Sequence, residues 1–295
     1  MKILLTGKNG QVGFELMRAL APLGQVIALG HAECDLADAD ALRSLVRSMK
    51  PDIIVNPAAY TAVDRAEADT ALAQAVNGTA PGVLGEEAAA LGALVVHYST
   101  DYVFDGTGQG AYREGDAVNP QSVYGQTKLA GERALQQSGA AHLIFRTSWV
   151  FGAHGANFAR TMLRLAADRD TLNVVADQWG APTSAALIAD VTAQVLGQYL
   201  HSRDKAFATG LYHLAAGGET QWCEYARTVI AAGHAAGQPL KLLPENVRPI
   251  TTAEFPTPAR RPANSRLDTG KLQQAFGLTL PPWQDGLSHV LQQLL

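Results

Sequence analysis

Short apolar runs alternate with longer alanine- and leucine-rich stretches through the first half of this 295-residue chain. The runs KILLT (2–6), QVIALG (25–30), DIIVNPA (52–58), ALVVHYS (93–99) and HLIFRTSWVF (142–151) show no polar alternation. Strands that present neither face to water read this way, and they belong to parallel sheets covered by helices on both sides. The stretches between them read as those helices: QVGFELMRALAPLG (11–24), ALRSLVRSMK (41–50), NGTAPGVLGEEAAALG (77–92) and VYGQTKLAGERALQQ (123–137). Strand, helix, strand at this cadence predicts an α/β fold with a doubly wound parallel sheet of Rossmann type.

Beyond residue 150 the pattern loosens. Helices are expected at NFARTMLRLAADR (157–169) and ALIADVTAQVLGQYLHS (186–202). The short strands LNVVA (172–176) and GLYHLA (210–215) are expected to return to the main sheet. From about residue 240 the chain is rich in proline and reads as loops around two short helices.

Hydrophobic residues make up 47% and charged residues 17%, an ordinary globular balance. A net charge of −4 and the lack of any basic stripe speak against nucleic acid as a partner. The one dense basic spot, Arg260-Arg261 with Arg266 nearby, suits a phosphate or two. No window approaches the ~20 apolar residues of a membrane span, and the run after Met1 is too short for a signal-peptide core. A cytoplasmic protein with no membrane partner is expected. Cys34 and Cys223 form no ligand-type spacing, and no metal motif is visible among eight histidines.

The stretch TGKNGQVG places Gly7, Gly10 and Gly13 directly between the first strand and the first helix. Glycines there let the backbone turn sharply and approach a pyrophosphate, whose charge the helix N-terminus stabilises. Residues 1–150 are therefore read as a dinucleotide-binding domain and 151–295 mainly as a smaller, discontinuous substrate domain. An acidic residue at the end of the second strand would bind the adenosine ribose 2′-hydroxyl and repel a 2′-phosphate. Here the strand ends in Gly30-His31, with the nearest acids at Glu33 and Asp35. That leaves room for a 2′-phosphate beside His31 or Lys8, so NADPH is expected to be accepted, with NADH as the alternative.

Tyr124 and Lys128 stand four apart on a predicted helix and project from one face. A nearby ammonium favours the phenolate, drawing a tyrosine toward the range where it can exchange protons. The fourth strand runs into HYSTDYVFDG (97–106). Ligands of open parallel sheets lie across the carboxyl ends of the strands, so Ser99 or Thr100 can bond a carbonyl or hydroxyl beside Tyr124.

These motifs, with NPAAYTAVDRAE, FRTSWVFG, DQWGAPT and ARRPANSRLD, follow in order from residue 7 to 268. In that combination the chain resembles an extended short-chain dehydrogenase/reductase, most of all the dTDP-4-dehydrorhamnose reductase family. The resemblance implies NADPH- or NADH-dependent reduction of a 4-keto group on a dTDP-linked 6-deoxy sugar, giving dTDP-L-rhamnose for polysaccharides such as the lipopolysaccharide O antigen. It implies Thr100, Tyr124 and Lys128 as the catalytic residues. For the cofactor it implies Gly7, Gly10, Gln11, Val12 and Gly13 at the pyrophosphate, and His31, Asp35 and Leu36 on the adenine side. Ala58, Ala59, Tyr60, Thr61 and Tyr98 would stand beneath the cofactor, with Tyr124 and Lys128 also touching it. For the dTDP-sugar it implies Thr100, Asp101, Val103, Phe104 and Trp149, and Arg260, Arg261 and Arg266 at the diphosphate.

Two departures from the family's relatives matter. Related sugar dehydratases carry an acid pair after the strand-four threonine, whereas here Asp101 is followed by Tyr102, which argues against elimination chemistry. Some rhamnose reductases form magnesium-bridged dimers. This chain keeps Glu15, but reads Ser184-Ala185-Ala186 after GAPT and Gln292-Gln293-Leu294-Leu295 at its end. A magnesium bridge is not expected, and a homodimer without one stays open. So do two other readings of the same residues, a sugar-nucleotide epimerase and a non-catalytic NADP-binding regulatory subunit.

Overall fold

The structure, a computed structural model, describes residues 1–202 and 207–295. Six strands form one parallel sheet: β1 (Lys2–Leu5), β2 (Gln25–Ala28), β3 (Ile53–Asn56), β4 (Leu94–Thr100), β5 (His142–Thr147) and β6 (Gly210–His213). Their spatial order is β6-β5-β4-β3-β1-β2. Helices of ten residues or more are α1 (Gln11–Leu20), α2 (Ala39–Met49), α3 (Ala80–Leu91), α4 (Val123–Gln137), α5 (Phe158–Asp168), α6 (Ala185–His201), α7 (Trp222–Ala235) and α8 (Trp283–Leu294).

Alternation along each strand sorts the apolar side chains into two cores. Ile3, Leu5, Ile53, Val55, Leu94, Val96, Leu143 and Phe145 meet Leu16 and Leu20 of α1 and Ile188, Val191 and Val195 of α6. The residues between them, Leu4, Ile54, Val95 and Ile144, meet Leu42 and Val46 of α2, Val83 and Leu84 of α3 and Leu135 of α4. Each such side chain contributes about 1.5–3 kcal/mol on burial, which fixes the register of every strand. Local signals set the helix ends. Asp38 caps α2 by accepting from the Ala41 N–H, and Ser122 caps α4 by accepting from the Gly125 N–H.

Past residue 147 the chain departs from the expected strand. β5 stops at Thr147, and Val150–Phe151 pairs instead with Thr183–Ser184. Between the two lies Trp149 in the left-handed region at φ 49. Leu172–Val175 does not return to the main sheet. It pairs in parallel with Val247–Ile250. Its Leu172 and Val174 are buried in a third apolar cluster with Tyr225 and Val229 of α7 and Leu287 of α8. Helix α7, which the sequence reading omitted, is the centre of that cluster.

Among the described residues, one ion pair is fully internal. Glu132 of α4 and Arg146 of β5 are 2% and 4% exposed and joined by two hydrogen bonds of 2.9 and 2.7 Å. The guanidinium also lies 5.0 Å from the Phe104 ring centroid. Removing one partner of a buried pair leaves an uncompensated charge. Glu132→Ala should therefore lower the unfolding free energy by about 3–5 kcal/mol in urea titrations at neutral pH; a loss under about 1 kcal/mol would show that water reaches Arg146.

Candidate active site

Strand order reverses between β1 and β3, and the crevice beyond their carboxyl ends is where an open parallel sheet takes a ligand. The glycine loop forms its floor. Gly7 is left-handed at φ 63, and a Cβ on Gly13 would lie 2.0 Å from the Gly7 carbonyl oxygen. No other residue type fits that approach. The N-terminus of α1 has no side-chain cap and no acidic residue in its first turn. Its N–H groups at Gln11, Val12 and Gly13 thus face the crevice side of the loop without a competing anion, the arrangement a pyrophosphate requires. Across the crevice, Gly7 abuts Ala58, whose Cβ would be 2.9 Å from a Cβ at Gly7. The Asn77 side chain clamps the next turn, accepting from the Tyr60 N–H at 2.8 Å and donating to the Tyr60 carbonyl at 3.0 Å. Thr61, which follows, is exposed.

At the end of β2 a carboxylate is present after all. Glu33 folds back, accepting from the Gly30 N–H and from Lys8 Nζ, each at 2.6 Å. The reading of an acid-free strand end is corrected: the loop delivers an acid that the linear spacing hides. Lys8 is already paired with it. His31 is exposed, 3.7 Å from Asp35, while Leu36 is buried in the sheet core and its side chain is withdrawn from an adenine.

The reacting end is built by β4 and α4. Tyr124 and Lys128, one turn apart, both face the sheet. The Tyr124 phenol stands beside Thr100, whose hydroxyl donates to Asp101 Oδ1 at 2.9 Å, and the Tyr102 ring meets it edge-on at 5.4 Å. Burial raises the Tyr124 pKa well above its ordinary value; Thr100 opposes this and Asp101 adds to it. Lys128 does not draw it down, contrary to the sequence expectation. Its amine turns to the strand instead, donating to the Tyr98 carbonyl at 2.6 Å and meeting His97 Nε2 at 3.3 Å. Burial pushes the Lys128 amine down to about 8, with Glu132 opposing. A phenol kept protonated is suited to giving a proton. Burial also pushes Asp101 up to about 6, opposed by the nearby Ser265 and by Thr100, whose hydroxyl donates to Oδ1 at 2.9 Å. Asp101 Oδ2 and the hydroxyls of Ser99, Thr147 and Ser148 are buried without a partner among the described residues. Unpaired polar atoms at the ends of two adjacent strands mark a place for a polar ligand.

Three expected contacts are withdrawn into the protein. Tyr98 lies on the opposite face of β4 from His97, packs in the sheet core and bonds Thr192 at 2.8 Å, so only its carbonyl serves the site. Val103 and Phe104 are buried in a small cluster with Tyr112 and Leu129, Phe104 stacked on Tyr112 at 4.2 Å. They support the site from beneath.

Beyond Tyr102 opens a cavity of about 780 Å³ lined by Trp179, Phe255, Arg260, Arg261 and Arg266 among others. Arg261 is bound to Asp64 at 2.6 Å, Arg266 to Glu219 at 3.0 Å, and the Arg266 guanidinium stands 5.9 Å from the Trp179 ring centroid. Arg260 is exposed, with Gln121 at 3.4 Å. Trp149 is half-buried and stacked on Trp222 at 3.7 Å. Trp179, Trp222 and His97 were not singled out from the sequence, and Glu33 was noted only as an acid beyond the strand end. Trp179, inside DQWGAPT, and His97, the first residue of HYSTDYVFDG, lay in motifs that could have flagged them.

Comparison with known proteins agrees along the full length. Residues 1–295 match the family described as the RmlD substrate binding domain. A dTDP-4-dehydrorhamnose reductase of Escherichia coli K12 is 53% identical over 298 residues, covering 100% of this chain and 98% of the relative. The crystal structure of such a reductase from Clostridium acetobutylicum has a TM-score of 0.90 at 36% identity, covering 100% of this chain and 99% of that one. That of the Bacillus anthracis reductase in complex with NADP has a TM-score of 0.87 at 31% identity, covering 99% of each chain. A likeness that runs from the first residue to the last, in sequence and in fold alike, shows that this chain belongs to the dTDP-4-dehydrorhamnose reductase family.

Proposed function

We propose that this chain reduces the 4-keto group of dTDP-4-dehydro-β-L-rhamnose to dTDP-β-L-rhamnose with NADPH or NADH, the last step of dTDP-L-rhamnose biosynthesis. The observation that carries the reading is the Tyr124 phenol, kept protonated by burial, standing beside Thr100 at the strand ends next to a glycine loop with an uncapped helix N-terminus. The cofactor supplies the hydride. Thr100 bonds the keto oxygen, and Tyr124 gives the proton that the developing alkoxide needs. Lys128, fixed by the Tyr98 carbonyl, stands one turn behind with an amine that can exchange a proton near neutral pH.

In this reading Gly7, Gly10, Gln11, Val12 and Gly13 hold the pyrophosphate, and the turn from Ala58 to Thr61 holds the nicotinamide half. Residues 1–150 with β6 make the cofactor domain, and most of 151–295 the substrate domain. Asp101 and Trp149 take the sugar, and the cavity with Arg260, Arg261 and Arg266 takes the nucleotide diphosphate. Tyr102 fills the position where a dehydratase would carry its second acid, and spends its ring against Tyr124. The reading places the enzyme in the cytoplasm, with rhamnose from its product destined for surface polysaccharide such as O antigen. A homodimer is compatible with it. Glu15 and Asp190 both lie against Arg18, at 3.5 and 3.0 Å, so a magnesium bridge is not part of the proposal.

Tyr124→Phe should cut turnover of dTDP-4-keto-6-deoxy-L-mannose, followed at the nicotinamide absorbance, by a factor of about 10²–10⁴. Its affinity for NADPH should stay within about twofold, since the lost hydroxyl acts on the reacting carbonyl. Turnover close to that of the unmodified protein would remove Tyr124 as the acid. Glu33→Gln removes a charge from the strand-two end and frees Lys8. The ratio of kcat/KM for NADPH to that for NADH should rise about tenfold; an unchanged ratio would place Glu33 away from the adenosine ribose.

A further inference from the structure

Beneath the crevice runs a line of four buried polar side chains, of which the reaction scheme uses only Lys128. Thr6, Asn56, His97 and Lys128 are each 1–2% exposed. The Thr6 hydroxyl donates to Asn56 Oδ1 at 2.6 Å, Asn56 Nδ2 meets His97 Nδ1 at 3.2 Å, and His97 Nε2 meets Lys128 Nζ at 3.3 Å. The line crosses the sheet at its switch point, from the end of β1 through β3 and β4 to α4.

Counting hydrogens gives the line a direction. A hydroxyl has one proton, and that of Thr6 is committed to Oδ1. Asn56 therefore turns its NH₂ to the ring, and His97 Nδ1 must offer a lone pair. Burial and the neighbouring amine hold the His97 pKa well below its ordinary value, against the Asn56 backbone, so the ring is neutral; with Nδ1 facing the Asn56 NH₂, its one proton sits on Nε2. That N–H points at Lys128. An N–H facing the nitrogen favours a neutral amine, which can accept, over an ammonium, which cannot.

The opposite arrangement exists in principle. With the amide turned, Nδ1–H would donate to Oδ1, and Nε2 would accept from an ammonium. It requires the Thr6 hydroxyl to give up its bond to Oδ1. Other groups act on Lys128 without choosing between the two states of the ring. Glu132 on α4 raises the amine but is held by Arg146 of β5, the Tyr124 phenol is neutral, and the Tyr98 carbonyl accepts from either form.

We propose that Thr6, Asn56 and His97 are positioning residues that set the charge on Lys128, with the Thr6 hydroxyl as the group that selects which ring atom faces the amine. Thr6 directly precedes Gly7, so the selecting hydroxyl lies under the loop assigned to the pyrophosphate. The role of Lys128 in turnover rests on the reductase reading. The relay itself does not.

The test reads Lys128 directly. Protein labelled with ¹³Cε-lysine is titrated by NMR without cofactor or substrate, and the Lys128 signal is assigned by its loss in Lys128→Met. The Lys128 midpoint should lie near 8, clear of the surface lysines at about 10.4. Thr6→Val frees the amide to turn and should raise that midpoint by about one unit, the size of one hydrogen bond to a charged group. Thr6→Ser, which keeps the hydroxyl, should leave it in place. A Thr6→Val midpoint that is unmoved or lower overturns the proposal. Where Thr6→Val does not fold, Thr6→Ala removes the same hydroxyl and is read the same way. A shifted midpoint in a protein that reduces no keto sugar keeps the relay and removes the reductase reading; an active reductase with an unmoved midpoint does the reverse.

Discussion

An amine that is 2% exposed must be hydrogen-bonded on every side or give up its charge, and the site is arranged around that requirement at Lys128. Strand β4 meets it because the strand stays extended to Thr100, bringing one carbonyl and one imidazole within reach of α4. The sheet face under α4 is apolar for most of its length and turns polar only at the carboxyl ends. Leu4 gives way to Thr6, Ile54 to Asn56 and Val95 to His97, each on the same side of its strand. The alternation that buries the core thus also delivers the polar line to the amine.

The second half of the site depends on a different core. Helices α5, α7 and α8 and the pair Leu172–Val175 with Val247–Ile250 bury their apolar faces together. That cluster fixes the start of the tail that carries the three arginines to the crevice. Trp149 marks the joint. Its left-handed backbone turns the chain out of β5, and Gly180 leaves room for the indole, which a Cβ there would approach to 2.6 Å. A non-glycine residue held in that region stores strain that its packing against Trp222 offsets.

Much of this was legible because a few residues dictate local structure strongly. VYGQTKLAGERALQQ reads as a helix over 123–137, where α4 lies behind its Ser122 cap, and the glycine spacing marks the loop before α1. Face assignment was the weak point. Tyr98 and Phe104 sit in a motif rich in functional groups, yet the two-residue period sends Tyr98 to the opposite core, and Phe104 stacks under the turn that follows. Short strands were harder still. Nothing in LNVVA names its partner, and Pro249 disguises Val247–Ile250, since proline is tolerated only where a strand's N–H groups are not all needed. Glu33 and His97 act through folded geometry, so no linear spacing announces them.

The order of assembly along the chain follows from the position of Arg260, Arg261 and Arg266. The glycine loop and the strand ends around it are encoded before residue 150, but α6 and the later Leu272 and Phe276 cover one face of the same sheet, and the basic lining of the cavity lies between them in sequence. During synthesis a nascent polypeptide therefore completes the apolar cover of that face only once the tail has emerged. Clipping within the tail would then strip apolar cover from the sheet that carries the glycine loop as well as the basic lining from the cavity.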